Sequence, residues 1–164
     1  MPTAQYIEDV HEEWKEAFPG RSIECEPVAA YMATISQILS KKVDAELRKI
    51  NLTRGEMEVL CAIVRTKDHT LTPKLVRERM IVSSGGLTAR IDKLEAAGLI
   101  KRLQDPSDNR GFLLKATSKG LEMGLAAHKV NVEMEKQLLS SLSAKEKNEM
   151  KRMLQKIMMS LEQS

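Results

Sequence analysis

Aromatic side chains are scarce in this chain, with one Trp, two Tyr and two Phe among 164 residues. Strand sandwiches lean on aromatic and β-branched pairs across their faces. The shortage, set beside ten Met, therefore favours packed helices. Cysteine is equally sparse. Cys25 and Cys61 make neither a disulfide framework nor a metal cluster, and His11, His69 and His128 are scattered without ligand-like spacing. No metal and no cofactor is expected. No apolar run approaches the ~18 residues of a membrane span, and the opening MPTAQYIEDV lacks a signal-peptide core. A cytoplasmic location is expected on those grounds. Also missing are a Ser/His/Asp set, a Gly-rich phosphate loop and carboxylates paired in a cleft. Asp105 and Asp108 lie close together, but a polar turn explains them. Nothing points to an enzyme.

Charge of one sign is also nearly absent, since the net charge is only +3. Its distribution says more than its size. Between Arg65 and Arg110 ten basic residues stand against six acidic ones, a local excess of +4 that leaves −1 for everything else. A concentrated positive segment is what a polyanion-binding surface needs. With 42% hydrophobic and 30% charged residues, the chain has the composition of a folded domain rather than a disordered one.

What is present is mostly helical punctuation. Ile7, Val10, Trp14 and Phe18 recur at helical spacing, predicting a short amphipathic helix over 4–18 that Pro19-Gly20 ends. Pro27 suits the first turn of a long helix, with Val28, Met32, Ile35, Leu39, Val43, Leu47 and Ile50 on one apolar stripe. Thr53 and Glu56 are spaced as a capping box ahead of Met57, Leu60, Cys61 and Val64. Thr72-Pro73 opens another helix. The turn Ser83-Ser84-Gly85-Gly86 leads into a helix with Leu87, Ile91 and Leu94 inward, stopped by Gly98.

Leu99–Leu103 and Gly111–Ala116 read as two strands joined by a polar turn over 104–110. Thr117 caps a helix to about Ser140. Ser143 and Glu146 form a second capping box for a last helix with Met150, Met153, Leu154, Ile157, Met158 and Leu161 inward. That apolar stripe suits either packing within the chain or, preferably, an interface between two copies.

Two helices around a Ser/Gly turn, followed by a two-stranded wing, are the layout of a winged helix-turn-helix, which lays one helix in a DNA groove. The expected fold is mainly α with a small β wing. Residues 1–50 supply an added helix and a first dimerisation helix, 51–117 the DNA-binding core, and 118–164 the C-terminal dimerisation helices. Small residues at the start of a recognition helix let the backbone approach the duplex, and Ser83, Ser84, Gly85 and Gly86 provide them. Thr88 suits a thymine methyl or a phosphate, while Arg90 and Lys93 reach base edges or backbone. Lys74 and Arg77 suit phosphate contacts. At the wing tip Asp108 can tie the turn while Arg110 enters a narrow minor groove, flanked by Lys101 and Arg102.

The segments LTRGEMEVL, LTPKLVRERMIVSSGGLTARIDKLEAAGLIKR, DPSDNRG and LKATSKG resemble the MarR family of bacterial transcription regulators, over about residues 50–122. The resemblance implies a homodimer whose terminal helices interlock. Its two winged modules would read half-sites of a pseudo-palindromic operator, usually as a repressor released by a small ligand or an oxidant. Asp9-Val10, Glu13-Trp14, Phe18-Pro19 and Glu26-Pro27-Val28 are similar to the PecS/urate-responsive branch. That similarity implies binding of urate or a related anion by Trp14, Glu58, Arg65 and Arg90, although the branch has Asp where this chain has the longer Glu58. Stacking on an indole with a guanidinium clamp suits a planar anion.

Trp14 equally suits a packing anchor, and Glu58 with Arg65 a structural ion pair. Two alternatives stand beside a ligand-released repressor. One is a thiol-based oxidant sensor through Cys25, which sits just before the long helix but between Glu24 and Glu26. The other is a ligand-independent winged-helix DNA-binding protein. On the inner face of its helix, Cys61 reads as inert packing.

Overall fold

A computed structural model describes residues 2–80, 86–106 and 108–163, with backbone alone for 108–110. The chain divides into two compact units, Met1–Arg54 and Gly55–Ser164.

The first unit is a pair of helices. Helix α1, Ala4–Ala17, starts where the Thr3 side chain accepts from the Tyr6 amide, and it ends at Phe18. Gly20 follows with φ +85°, a conformation a side chain would resist. Helix α2, Glu26–Lys49, carries Pro27 in its first turn, as the sequence predicts. Asn51, at φ +58°, stops it, and the Leu52 amide then donates to the Leu47 carbonyl at 3.0 Å. Two polar ties brace the unit: Tyr31 Oη donates to Glu8 Oε1 at 2.6 Å, and Arg54 reaches Asp44 Oδ1 at 3.0 Å and the Ser40 carbonyl at 2.9 Å. The predicted apolar stripe of α2 is only partly interior. Val43 and Leu47 are buried, while Val28, Met32 and Ile35 are exposed.

The second unit holds α3 (Arg54–Val64), β1 (Thr70–Leu71), α4 (Pro73–Arg79), α5 (Leu87–Ala96), β2 (Ile100–Asp105), β3 (Asp108–Ala116), α6 (Ser118–Leu138) and α7 (Ala144–Glu162). Leu60, Ile63, Val76, Leu87, Ile91, Leu94, Ile100 and Leu114 are among its buried side chains. The three strands form an antiparallel sheet in the order β1-β3-β2. Strand β1 was not expected. It is placed by the turn before it, where the Thr66 hydroxyl donates to the Ile63 carbonyl at 2.7 Å and accepts from the Thr70 amide at 3.0 Å. His69, at φ +54°, sets Nδ1 2.8 Å from the Val64 carbonyl, and its own carbonyl accepts from Ala116 at 3.0 Å.

The hairpin corrects a second expectation. The polar segment 104–110 is not one open turn, because Gln104 and Asp105 extend β2 and Asp108 begins β3, with Asp105 paired to Asp108. A register shift at Gln104/Asp105 absorbs the polar residues into the ladder, and Asp105 is buried. Composition marks turn formers but does not see ladder bonds.

Caps expected at Thr72, Thr117 and Ser143 are formed, the last as a complete capping box with Glu146. The last helix departs from expectation in one respect. No residue of α7 is buried, so its Met and Leu stripe does not face an interior of this chain.

Helix α6 crosses the end of the sheet at a glycine. A Cβ on Gly120 would fall 1.9 Å from the Leu99 carbonyl oxygen, whereas one on Gly124 would meet side chains, Val64 at 2.8 Å and Leu60 at 3.5 Å. Backbone cannot yield as a side-chain methyl can. Gly120→Ala should therefore cost about 2–4 kcal/mol in denaturant unfolding, and Gly124→Ala about 1 kcal/mol. Equal losses from the two would show that the helix crossing is not set by Gly120.

Candidate nucleic-acid interface

Helix α5 is held against the body of its unit by Leu87, Ile91 and Leu94, all buried, and turns Thr88, Ala89, Asp92, Lys93 and Ala96 outward. Its entry is Gly86, at φ +73°. Its exit is closed by α6, where Lys119 Nζ donates to the Ala97 carbonyl at 2.9 Å and the Thr117 hydroxyl to the Gly98 carbonyl at 2.7 Å. Gly98 sits at φ +71° just past the helix, the C-terminal stop the sequence predicts. With its inner face buried and its C-terminal end tied to the start of α6, α5 presents its outward face in a defined orientation.

Arg102 fixes that helix to the hairpin. Its guanidinium donates to Asp92 Oδ1 at 2.5 Å and Glu95 Oε2 at 2.8 Å, its amide donates to Glu95 Oε1 at 3.2 Å, and it lies 5.1 Å from the centre of the Phe112 ring. A planar fork with several fixed donors suits two carboxylates at once. The sequence places Arg102 among the flanking DNA contacts; the geometry pairs its charge at the surface with two carboxylates of the same chain.

The other expected contacts are distributed as follows. Lys74 and Arg77 are exposed on α4, and Thr88 is exposed on α5. Exposed Lys93 lies 3.8 Å from Glu56 Oε1, the carboxylate of a residue in the first turn of α3. Arg90 is half-buried with its guanidinium over the first turn of α3, so near that a Cβ on Gly55 would come within 2.4 Å of its Nε. Lys101 is exposed on β2, directly opposite Lys115 of β3. Two like charges face to face across a ladder repel unless an anion approaches them. Lys115 is absent from the sequence-based set, and only the strand register brings it into view. Ser83, Ser84 and Gly85 lie outside the described residues, as do the side chains of Asp108 and Arg110.

The residues expected to hold an effector fall in both units. Trp14, on α1, is 47% exposed and stacks on Phe18 with ring centres 5.3 Å apart. Glu58 and Cys61 lie about one turn apart along α3, Arg65 follows just past its end, and Arg65 Nη2 donates to the Arg79 carbonyl at 2.9 Å, closing the end of α4. Burial pushes the Cys61 thiol pKa up, with Arg65 opposing and Glu58 adding to the rise. Its Sγ approaches the Gly124 carbonyl at 3.7 Å. This cysteine is therefore a poor thiolate, consistent with packing. Cys25 is exposed at the N-cap of α2. Among the described residues no His/Cys/Asp/Glu group is arranged to hold a metal, and no helix is long and apolar enough to cross a membrane.

The helix pair α4–α5, set between β1 and a β2–β3 wing of one three-stranded sheet, defines a winged helix-turn-helix protein. Residues 52–112 match the MarR family. Over 157 residues the chain is 24% identical to the HTH-type transcriptional regulator PecS of Dickeya dadantii (strain 3937), covering 94% of this chain and 95% of that protein. A crystal structure of a mutant Escherichia coli MarR complexed with operator DNA superposes with a TM-score of 0.69 at 26% identity, covering 84% of this chain and 99% of that one. AbsC, a MarR family regulator from Streptomyces coelicolor, shares the fold with a TM-score of 0.75 at 20% identity, covering 88% and 99%. Residues 52–112 thus match a MarR family domain, and along most of its length the chain is similar to MarR-type transcriptional regulators. Its relatives are named as regulators, in keeping with the expectation that it is not an enzyme.

The Arg102 clamp makes a specific prediction. Arg102→Lys keeps the charge but loses the fork, and should lower unfolding stability by about 1 kcal/mol. Gly55→Ala should cost about 1–3 kcal/mol by forcing the Arg90 guanidinium aside. Denaturant unfolding of both variants checks this, and wild-type midpoints in both would refute the two packing assignments.

Proposed function

We propose that the chain is a homodimeric, sequence-specific DNA-binding repressor that a small anionic or aromatic ligand releases from its operator. The observation that carries this reading is the outward face of α5, packed on its inner side by Leu87, Ile91 and Leu94, tied at its C-terminal end, and accompanied by exposed Lys74, Arg77 and Lys101. In it, residues 51–117 read DNA while 1–50 and 118–164 pair two copies. Operator DNA bound to the E. coli relative supports the DNA partner. Ser83, Ser84, Gly85, Gly86 and Thr88 would approach the backbone, Arg90 and Lys93 the bases, and Arg110 the minor groove beside Asp108. We assign Arg102 to positioning instead of contact, and add Lys115 beside Lys101 as a phosphate-facing pair.

The exposed apolar side chains of α7 support the second copy. Met153, Ile157, Met158 and Leu161 are 43–66% exposed on the terminal helix. A contiguous apolar face of that kind is normally covered in a soluble protein, and a self-complementary interface covers it twice by one symmetry operation.

A footprint on a genomic promoter fragment should show a pseudo-palindrome protected at two half-sites, with two chains per site by sedimentation. Arg110→Ala should weaken binding and reduce the slope of log K against log salt by about one. An unprotected fragment, or a single chain per site, would sink the reading. An unchanged salt slope would remove Arg110 from it.

Release is tested separately with urate, which Trp14, Glu58, Arg65 and Arg90 would bind. Urate should lower operator affinity in wild type, and Trp14→Ala or Arg65→Ala should abolish that response while sparing DNA binding. No response to millimolar urate in wild type would reject this effector. Loss of binding after mild peroxide treatment, absent in Cys25→Ser, would favour the thiol-based alternative, because Cys25 is the exposed cysteine.

A further inference from the structure

The first unit contains a cavity that the DNA-regulation reading does not use. It lies between α1 and α2 and has a volume of about 240 Å³. Its walls are mainly apolar, formed by Ile7, Val10, Pro27 and Ala30, with Tyr6 at the side. Thr34 also lines it, as do two groups able to carry charge, His11 and Glu26. His11 is 8% exposed, and its Nδ1 is buried without a hydrogen-bond partner among the described residues. Glu26 Oε2 lies 3.8 Å from that nitrogen.

That separation is too long for a hydrogen bond between them, and a buried polar atom left without one is costly. It is the span that one donor group accommodates when it sits about 2.8 Å from each of two acceptors. With the imidazole protonated on Nε2, Nδ1 offers a lone pair, and the Glu26 carboxylate offers another acceptor. An ammonium carries enough hydrogens to serve both at once. The rest of the surroundings favour a positive charge. Helix α1 carries Glu8, Asp9, Glu12, Glu13 and Glu16 against a single Lys15. Although Glu26 opens α2, where a helix N-terminus ordinarily attracts anions, its own carboxylate already occupies that position.

We infer that this cavity is a binding site for a small apolar cation, an aryl- or alkylamine, whose ammonium bridges His11 Nδ1 and Glu26 while its hydrocarbon part fills the space between Ile7, Val10, Pro27 and Ala30. The site shares no residue with the anion-binding set proposed above and does not depend on DNA binding.

Isothermal titration of the full chain with 2-phenylethylamine tests it against 3-phenylpropanoate, which has a similar hydrocarbon part but the opposite charge. The amine should bind once per chain and the acid at least about tenfold more weakly. Glu26→Gln should weaken the amine by about tenfold or more, as expected for loss of a charge-assisted hydrogen bond. Ala30→Phe should abolish binding by filling the cavity. Circular dichroism checks that both variants stay helical. Long-range ¹H–¹⁵N spectra of the wild-type imidazoles provide a readout without any substitution, because the amine should shift His11 Nδ1 and leave His69 and His128 unmoved. The inference is overturned by absence of binding at millimolar amine, by equal affinity for the acid, by undiminished binding in Glu26→Gln, or by an unperturbed His11.

Discussion

The packing of the hairpin against α5 depends on one guanidinium. Arg102 projects from β2 and is held by Asp92 and Glu95, two carboxylates on the same helix separated by one turn. Hydrophobic packing alone would let α5 slide along the sheet, since apolar contact has no strong directional preference. A planar fork bonded to two acceptors does have one. It sets the rotation of α5 relative to the hairpin, so the groups on α5 and those on the wing occupy one fixed geometry. The Phe112 ring beside the guanidinium keeps that arrangement from loosening into solvent.

The same arrangement explains why charge content is a poor guide to contacts here. Ten basic residues lie between Arg65 and Arg110, yet they serve different ends. Arg65 closes a helix through a carbonyl, and Arg102 is held by carboxylates. Lys74, Arg77 and Lys101 are exposed on the outer surface. Lys115 lies beyond that segment but joins Lys101 across the ladder. Electrostatic potential at the surface therefore comes from a subset of the basic residues, selected by tertiary pairing.

Helix starts and stops were largely legible in the sequence because their chemistry is local. Thr72, Thr117 and Ser143 each bond an amide three residues on, and Gly98 adopts a conformation few other residues favour. Strand β1 was not legible, for two residues carry no period, and its position comes from Thr66 and His69 in the preceding turn. The hairpin was legible as a hairpin but not in its extent, since pairing across the ladder overrides a polar composition. In the candidate site, exposure of Lys74, Arg77, Thr88 and Lys93 follows from helical period. The internal use of Arg102 and the juxtaposition of His11 with Glu26 do not, because each depends on which elements pack together. The stripe on α7 was visible as a period, but period cannot say whether its neighbour is the same chain or another.

The missing side chain at position 55 turns the start of α3 into a seat. Arg90 rests its guanidinium there with no methyl group to lift it away. Any tilt of α3 moves the seat, and the arginine of the next-but-one helix must follow or lose its support. Because α3 also bears Glu58 and Cys61, a rocking of that helix would reach a long cation on α5 directly through this seat.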